Sequence, residues 1–216
     1  MIRYVMGIGY FILADTHHSQ EMAHRSQSPY LQLDSETDMD LPEPDPEDDL
    51  GVISSSTDNI RFNYLRTVAK FAFIQGKAHD LLYSHKSQKL TQEQKTNTIV
   101  RIETMLEEWT REIPVEFHTA EGIEKRLPPI SRDLMMSLWF HHAECRIKIR
   151  SIFTFEDAWI TRVRRYLFPA VIDVSDEKIR RGDLPPLPPK WSQCVEYSRT
   201  CMELLIARQP TEYILW

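Results

Sequence analysis

The stretch from Ser131 to Phe155, SRDLMMSLWFHHAECRIKIRSIFTF, constrains the fold more than any other. At helical spacing Met135, Leu138, His142, Cys145, Ile149 and Ile152 form one stripe, which Trp139 and Phe153 widen. Phe140, Ala143 and Ile147 add a second apolar strip on the far side. Only Asp133, Ser137, Glu144, Lys148 and Ser151 make a wet edge. A helix with so little polar surface cannot lie on the outside of a domain, so other elements must pack around it. The sequence therefore predicts an all-α, irregular multi-helix array around a central helix over about 131–155, with long acidic and Pro-rich loops. Six Gly and thirteen Pro among 216 residues fit helices joined by stiff connectors better than a glycine-rich nucleotide-binding sheet.

Five further helices are expected around it, four of them after the acidic segment. Asp58 can cap a helix running to about Ser84, with Asn63, Arg66, Lys70 and Lys77 on its polar side. Leu65, Val68, Ala72, Phe73 and Leu82 would form its buried side. Thr91 and Gln94 have the spacing of a capping box. After them Ile99, Ile102, Leu106, Trp109 and Ile113 recur at three-and-four spacing until Pro114 stops the helix. A short helix is expected over 158–168, halted by Pro169. A last helix is lined by Trp191, Cys194, Cys201 and Leu205 and stops at Pro210. Met1 to Ala14 is apolar with a basic residue, Arg3, near its start, but it is shorter than the roughly 20 residues a membrane span needs. It reads as a buried helix of a larger domain rather than a signal peptide. The predicted organisation is one α-helical domain fragment over 1–208, with an acidic loop over 34–56, a Pro-rich connector over 173–190 and a tail over 209–216.

Charge is unevenly distributed. Asp34 to Asp49 carries nine acidic and no basic residues, so the remainder of a chain of net charge −6 is near +3. Prolines and mutual repulsion make the acidic segment a surface loop. Such a chain is a poor DNA binder, because phosphate contacts need Lys and Arg gathered on one face. No direct DNA contact and no membrane association are expected. The clusters Arg146, Lys148 and Arg150, then Arg162, Arg164 and Arg165, then Lys178, Arg180 and Arg181 read as solvated edges. The tract Leu184 to Pro189, LPPLPP, has polyproline character and reads as a stiff intradomain loop rather than a ligand for a proline-binding module. Three cysteines without framework spacing imply free thiols. Cys194 and Cys201 stand two helical turns apart, about 10 Å, too far for a disulfide.

Two places invite a catalytic or metal reading. His17, Glu21 and His24 would share a helix face and have the donor types of a zinc site. They lack the order of a metalloprotease helix and lie in a polar segment, so solvated histidines are expected. In the His141-His142 pair, His142 falls on the apolar stripe and reads as a hydrogen-bonded core histidine. Glu144, two residues on, points elsewhere. No phosphate loop, dinucleotide fingerprint, nucleophile elbow or kinase signature occurs. The sequence thus names no catalytic, cofactor-binding or metal-binding residue and predicts that the chain is not an enzyme.

A family resemblance goes further. RYVMGIGYFILAD, ending at Asp15, and then HRSQSPYLQLDSETDMDLPEPDPEDDLG resemble the fungal-specific transcription factor domain, the middle homology region of fungal zinc-cluster regulators. Asp38, Met39, Asp40, Leu41 and Pro42 match its acidic Leu-Pro signature. Arg25 occupies its turn, although His24 and Ser26 replace the usual Gly and Pro. LRTVAKFAFIQGKAHDLLYS, LEEWTREIP and SLWFHHAECRIKIRSIF follow in the family's order. In the last of these, Phe140 with His141 or His142 stands at a Tyr-His pair and Arg150 at the family's Arg. Ser151 and Ile152 replace its Pro. The resemblance implies a nuclear, effector-sensing, inhibitory or dimer-supporting domain that regulates transcription. Its implied partners are a second copy or a coregulator protein and a small-molecule effector. DNA and zinc binding would reside in a six-cysteine module this chain lacks, so it is expected to be part of a longer regulator or a paralogue without that module. The alternatives are a helical interaction module unconnected with transcription, or a metal-dependent enzyme using the histidines above.

Overall fold

The computed structural model describes residues 41–155, 159–160, 163–164 and 191–207. Its architecture is mostly α-helical: five helices, three 3-10 turns and one two-stranded ribbon among the described residues. The chain runs β1 (Val52–Ser54), β2 (Arg61–Asn63), α1 (Tyr64–Leu82), α2 (Gln92–Arg111), α3 (Ala120–Arg126), α4 (Pro129–Ser151) and α5 (Trp191–Ala207). The predicted helices before residue 41 and over 158–168, the connector over 173–190 and the tail over 209–216 lie wholly or mainly outside the described residues. So do the two basic clusters at 162–165 and 178–181, apart from Arg164.

The acidic loop ends earlier than expected. Val52–Ser54 pairs antiparallel with Arg61–Asn63, placing Val52 opposite Asn63, Ile53 opposite Phe62 and Ser54 opposite Arg61. Ile53 and Phe62 are the buried pair, and the Phe62 ring meets Phe117 edge-on at 6.2 Å. Gly51 leads into β1 with φ +76°, a left-handed turn that a side chain would strain.

Because 52–63 is a hairpin, Asp58 lies in its turn and does not cap α1. Asn63 does so: its Oδ1 accepts from the Arg66 amide at 2.9 Å. The buried face of α1 is also rotated from the expected one. Tyr64, Thr67, Val68, Phe71, Ile74, Ala78 and Leu82 face the core. Phe73 is exposed, with the Lys77 ammonium 4.4 Å from its ring centroid. Apolar residues occur on both sides of this helix, and the phase carrying Phe71 wins because it continues from Tyr64 at three-and-four spacing.

Helix α2 matches expectation. Thr91 Oγ1 accepts from the Gln94 amide at 3.2 Å and Gln94 Oε1 from the Thr91 amide at 2.9 Å, the reciprocal capping box. Ile99, Ile102, Leu106, Trp109 and Ile113 are all buried. Helix α3 packs on the Val115–Phe117 turn, and Gly122 allows it: an added Cβ would lie 2.1 Å from the Glu116 carbonyl oxygen. Helix α4 starts with Pro129 in its first turn, where no amide partner is needed. It ends at Ser151 and tightens into a 3-10 turn over Ile152–Phe155, so the central helix is shifted slightly from 131–155. Its predicted stripe of Met135, Leu138, His142, Cys145, Ile149 and Ile152 is buried throughout.

Candidate functional site

One edge of α4 carries His142, Arg146 and Arg150 at four-residue intervals, which a helix places in a line. Each meets a different neighbour. His142 is enclosed by aromatic rings, with Trp109 stacked on it at 5.4 Å, Trp139 edge-on at 5.3 Å and Phe71 at 6.3 Å. Those rings are themselves fixed through their polar atoms. Trp109 Nε1 donates to the Thr67 carbonyl at 2.9 Å, and Trp139 Nε1 donates to the Phe117 carbonyl at 2.6 Å. Arg146 Nε donates to His142 Nε2 at 3.0 Å, so the imidazole is neutral and carries its proton on Nδ1. Burial, with Arg146 and then His118 adding repulsion, pushes the His142 pKa down to about 3. His142 is thus the hydrogen-bonded core histidine read from the sequence.

Arg146 also reaches α5. Its Nη1 donates to the Tyr197 hydroxyl at 3.2 Å, and its guanidinium carbon lies 5.4 Å from that ring's centroid. One turn on, Arg150 pairs with Glu103 of α2, and both side chains are almost fully buried. This corrects the reading of Arg150 as a solvated edge. A guanidinium inside the fold needs a carboxylate, and Glu103, at the border of the α2 stripe, supplies it. The Tyr83 hydroxyl donates to the Lys148 carbonyl, and burial pushes its pKa up to about 12.

Helix α5 lies along this edge in the opposite direction to α4. Arg150 and Glu103 are the charges felt by Cys194, Glu144 is the one felt by Cys201, and Tyr197 meets Arg146 between them. Its buried side chains are Cys194, Cys201 and Leu204, while Val195, Met202 and Ile206 are exposed. Trp191 is half-buried, and the Leu205 side chain lies outside the described residues. All three cysteines are free thiols, with pKa values raised by burial, that of Cys145 to about 12.

The remaining sequence candidates separate. His17, Glu21 and His24 lie outside the described residues. His141 Nδ1 stands 3.4 Å from Glu144 Oε2, whose partner oxygen meets Lys148 Nζ at 2.9 Å, on a half-buried polar edge of the helix. Among the described residues no three or more His, Cys, Asp or Glu side chains are grouped to hold a metal ion, and no helix is long and apolar enough to cross a membrane. Sequence reasoning missed Glu103, Tyr197 and the burial of Arg150. The four-residue spacing of His142, Arg146 and Arg150 beside an apolar stripe was the available signal.

Comparison with known proteins adds the biological context. Over 147 residues, 68% of its length, the chain is 30% identical to a protein of Aspergillus oryzae named ABC-transporter-regulating transcription factor. Over the same length it is 29% identical to a protein of that name from Aspergillus fumigatus. In each case the match covers 16% of the relative, so the chain spans a small part of the length of the curated relatives it matches. No protein-family model matches the chain, and no solved structure matches it.

Proposed function

We propose that this chain is a regulatory region of a fungal transcription factor of the zinc-cluster type, acting in the nucleus on genes that include ABC transporters. The similarity over 147 residues to two regulators with that printed name carries this reading. DNA and zinc binding belong to a module outside this chain. Its own work is done through helix packing, in contact with a second copy or a coregulator protein and in response to a small-molecule effector.

Two features of the fold support a packing role. The described part of the acidic segment is pinned down rather than free to act as an activating tail. Arg66 Nη1 donates to the Pro42 carbonyl, Asn63 Nδ2 to the Glu43 carbonyl at 2.7 Å, and Arg61 pairs with Asp49 and, at 3.7 Å, with Asp45. The junction of α4 with α5 is the second. It combines small buried side chains with a polar line, so α5 can exchange between packings at a modest cost, and an effector or coregulator favouring one packing shifts the balance.

The test is to fuse the chain to a heterologous DNA-binding module and measure a reporter gene. A several-fold change in output relative to the module alone is expected, and the unfused chain should show no salt-sensitive binding to DNA in a mobility-shift assay. Reporter output identical to that of the module alone would refute the regulatory role.

A further inference from the structure

The hairpin turn Ser55 to Ile60, SSTDNI, is closed by the Ser55 amide donating to the Ile60 carbonyl at 2.9 Å, and Ser56, Thr57, Asp58 and Asn59 are exposed at its tip. The tip is fastened to the end of α3 through one residue, Arg126. The Arg126 carbonyl accepts from the Ser56 amide at 2.7 Å, and Arg126 Nε donates to Asp58 Oδ2 at 2.9 Å. That same Asp58 oxygen accepts from the Thr57 hydroxyl at 3.1 Å. An accessible hydroxyl therefore shares a carboxylate oxygen with a guanidinium that is already positioned, its Nη1 held by the Gly122 carbonyl at 3.5 Å.

We propose that Thr57 is a phosphoryl acceptor for a protein serine/threonine kinase and that Arg126 receives the phosphate. The Thr57 Oγ1 attacks the γ-phosphorus of ATP, the bond from that phosphorus to the leaving ADP oxygen breaks, and the hydroxyl proton passes to the kinase's carboxylate base. A phosphoryl group reaches about 2.5 Å beyond its ester oxygen and carries nearly two charges with three acceptor oxygens. From Thr57 that reach brings it against the Arg126 guanidinium, where it displaces Asp58 by forming the stronger, two-pronged contact.

The Ser55 hydroxyl, two residues before Thr57, is unsuited. Ser55 Oγ is engaged by the Thr57 and Asp58 amides at 3.3 and 3.1 Å and faces the Arg126 carbonyl oxygen at 3.4 Å. A phosphate there would be pressed against that carbonyl oxygen. The consequence at Thr57 is a tighter clasp between hairpin and α3, with Asp58 released to solvent.

The experiment has two arms on the full chain. In the first, the chain is incubated with ATP and fungal nuclear extract and the phosphate is mapped by mass spectrometry. Label at Thr57, lost in Thr57→Val, is expected; label confined to Ser54, Ser55 or Ser56, or none, overturns the proposal. In the second, phosphothreonine is encoded at position 57 and its second ionisation is followed by phosphorus NMR. The midpoint is expected about 0.5 pH units lower in the parent than in Arg126→Gln. The Arg126→Lys variant should restore part of the difference, and denaturant should abolish it. Equal midpoints in folded parent and Arg126→Gln, checked by circular dichroism, overturn the role of Arg126.

Discussion

Helix α4 is gripped differently on its two sides. Towards α1 and α2 it meets one contiguous apolar core that includes Val68, Phe71, Ile102, Leu106, Trp109, Phe117, Ile123, Met135 and Leu138. Towards α5 it meets Cys194, Cys201 and Leu204, which are buried but do not join that core. The first contact removes large aliphatic and aromatic side chains from water, at about 25 cal/mol for each Å² of apolar area. The second relies on two cysteines, Leu204 and the contact of Arg146 with Tyr197. One side of α4 is therefore held by large apolar side chains, and the other by a smaller apolar set and a polar line.

Substitutions on the two sides test that contrast. Trp109→Ala should be the most damaging. It opens a cavity between Phe71 and His142 and leaves the Thr67 carbonyl without its donor, at a cost of about 4 kcal/mol in chemical denaturation. Arg150→Met should follow at about 3 kcal/mol, because Glu103 is left buried without its cation. The double variant Glu103→Met/Arg150→Met should recover most of that loss. Additive losses would show that the pair does not act as a unit.

Acid should weaken the aromatic cage selectively. The His142 pKa is depressed in the folded chain to about 3, so between about 6.5 and 3 the unfolded chain binds the extra proton. Its contribution is complete above pH 6.5 and falls by about 1.4 kcal/mol for each pH unit below it. His142→Gln should flatten this part of the stability-pH profile, and an unchanged slope would mean the ring is not held neutral.

Tyr197→Phe should cost least, about 0.5–1 kcal/mol, by removing the hydroxyl that accepts from Arg146. Its effect should be local. Amide exchange should quicken along Trp191–Ala207 and leave Ile99 to Trp109 unchanged, with Cys194 and Cys201 gaining thiol reactivity before Cys145. Uniform acceleration through both regions would abolish the distinction between the two sides of α4.

Sequence pattern disclosed the side of α4 facing α1 and α2 far better than the side facing α5. The Thr91-Gln94 capping box, the Ile99 to Ile113 stripe and the buried stripe of α4 all rest on local periodicity or on one-residue chemistry. The β1-β2 hairpin gave little signal, because each three-residue strand buries a single residue, Ile53 or Phe62, within a polar stretch. Arg150 was hidden for another reason. A charged residue reads as exposed until its partner is known, and Glu103 lies 47 positions away on another helix. Phe73 misled in the opposite direction, since the ring stands exposed with the Lys77 ammonium over its face.

The bend at Gly51 has a bearing on how this chain tolerates change. The Leu65 amide donates to the Gly51 carbonyl at 3.2 Å, and a Cβ at Gly51 would stand 2.4 Å from the Leu65 Cβ, besides the penalty its φ of +76° would incur. In a saturation library selected for soluble expression, codon 51 should come back almost invariant, while codon 50, whose Leu side chain is exposed, accepts many residues. Room for a single side-chain carbon at that corner decides whether the ribbon can lie this close to the first helix.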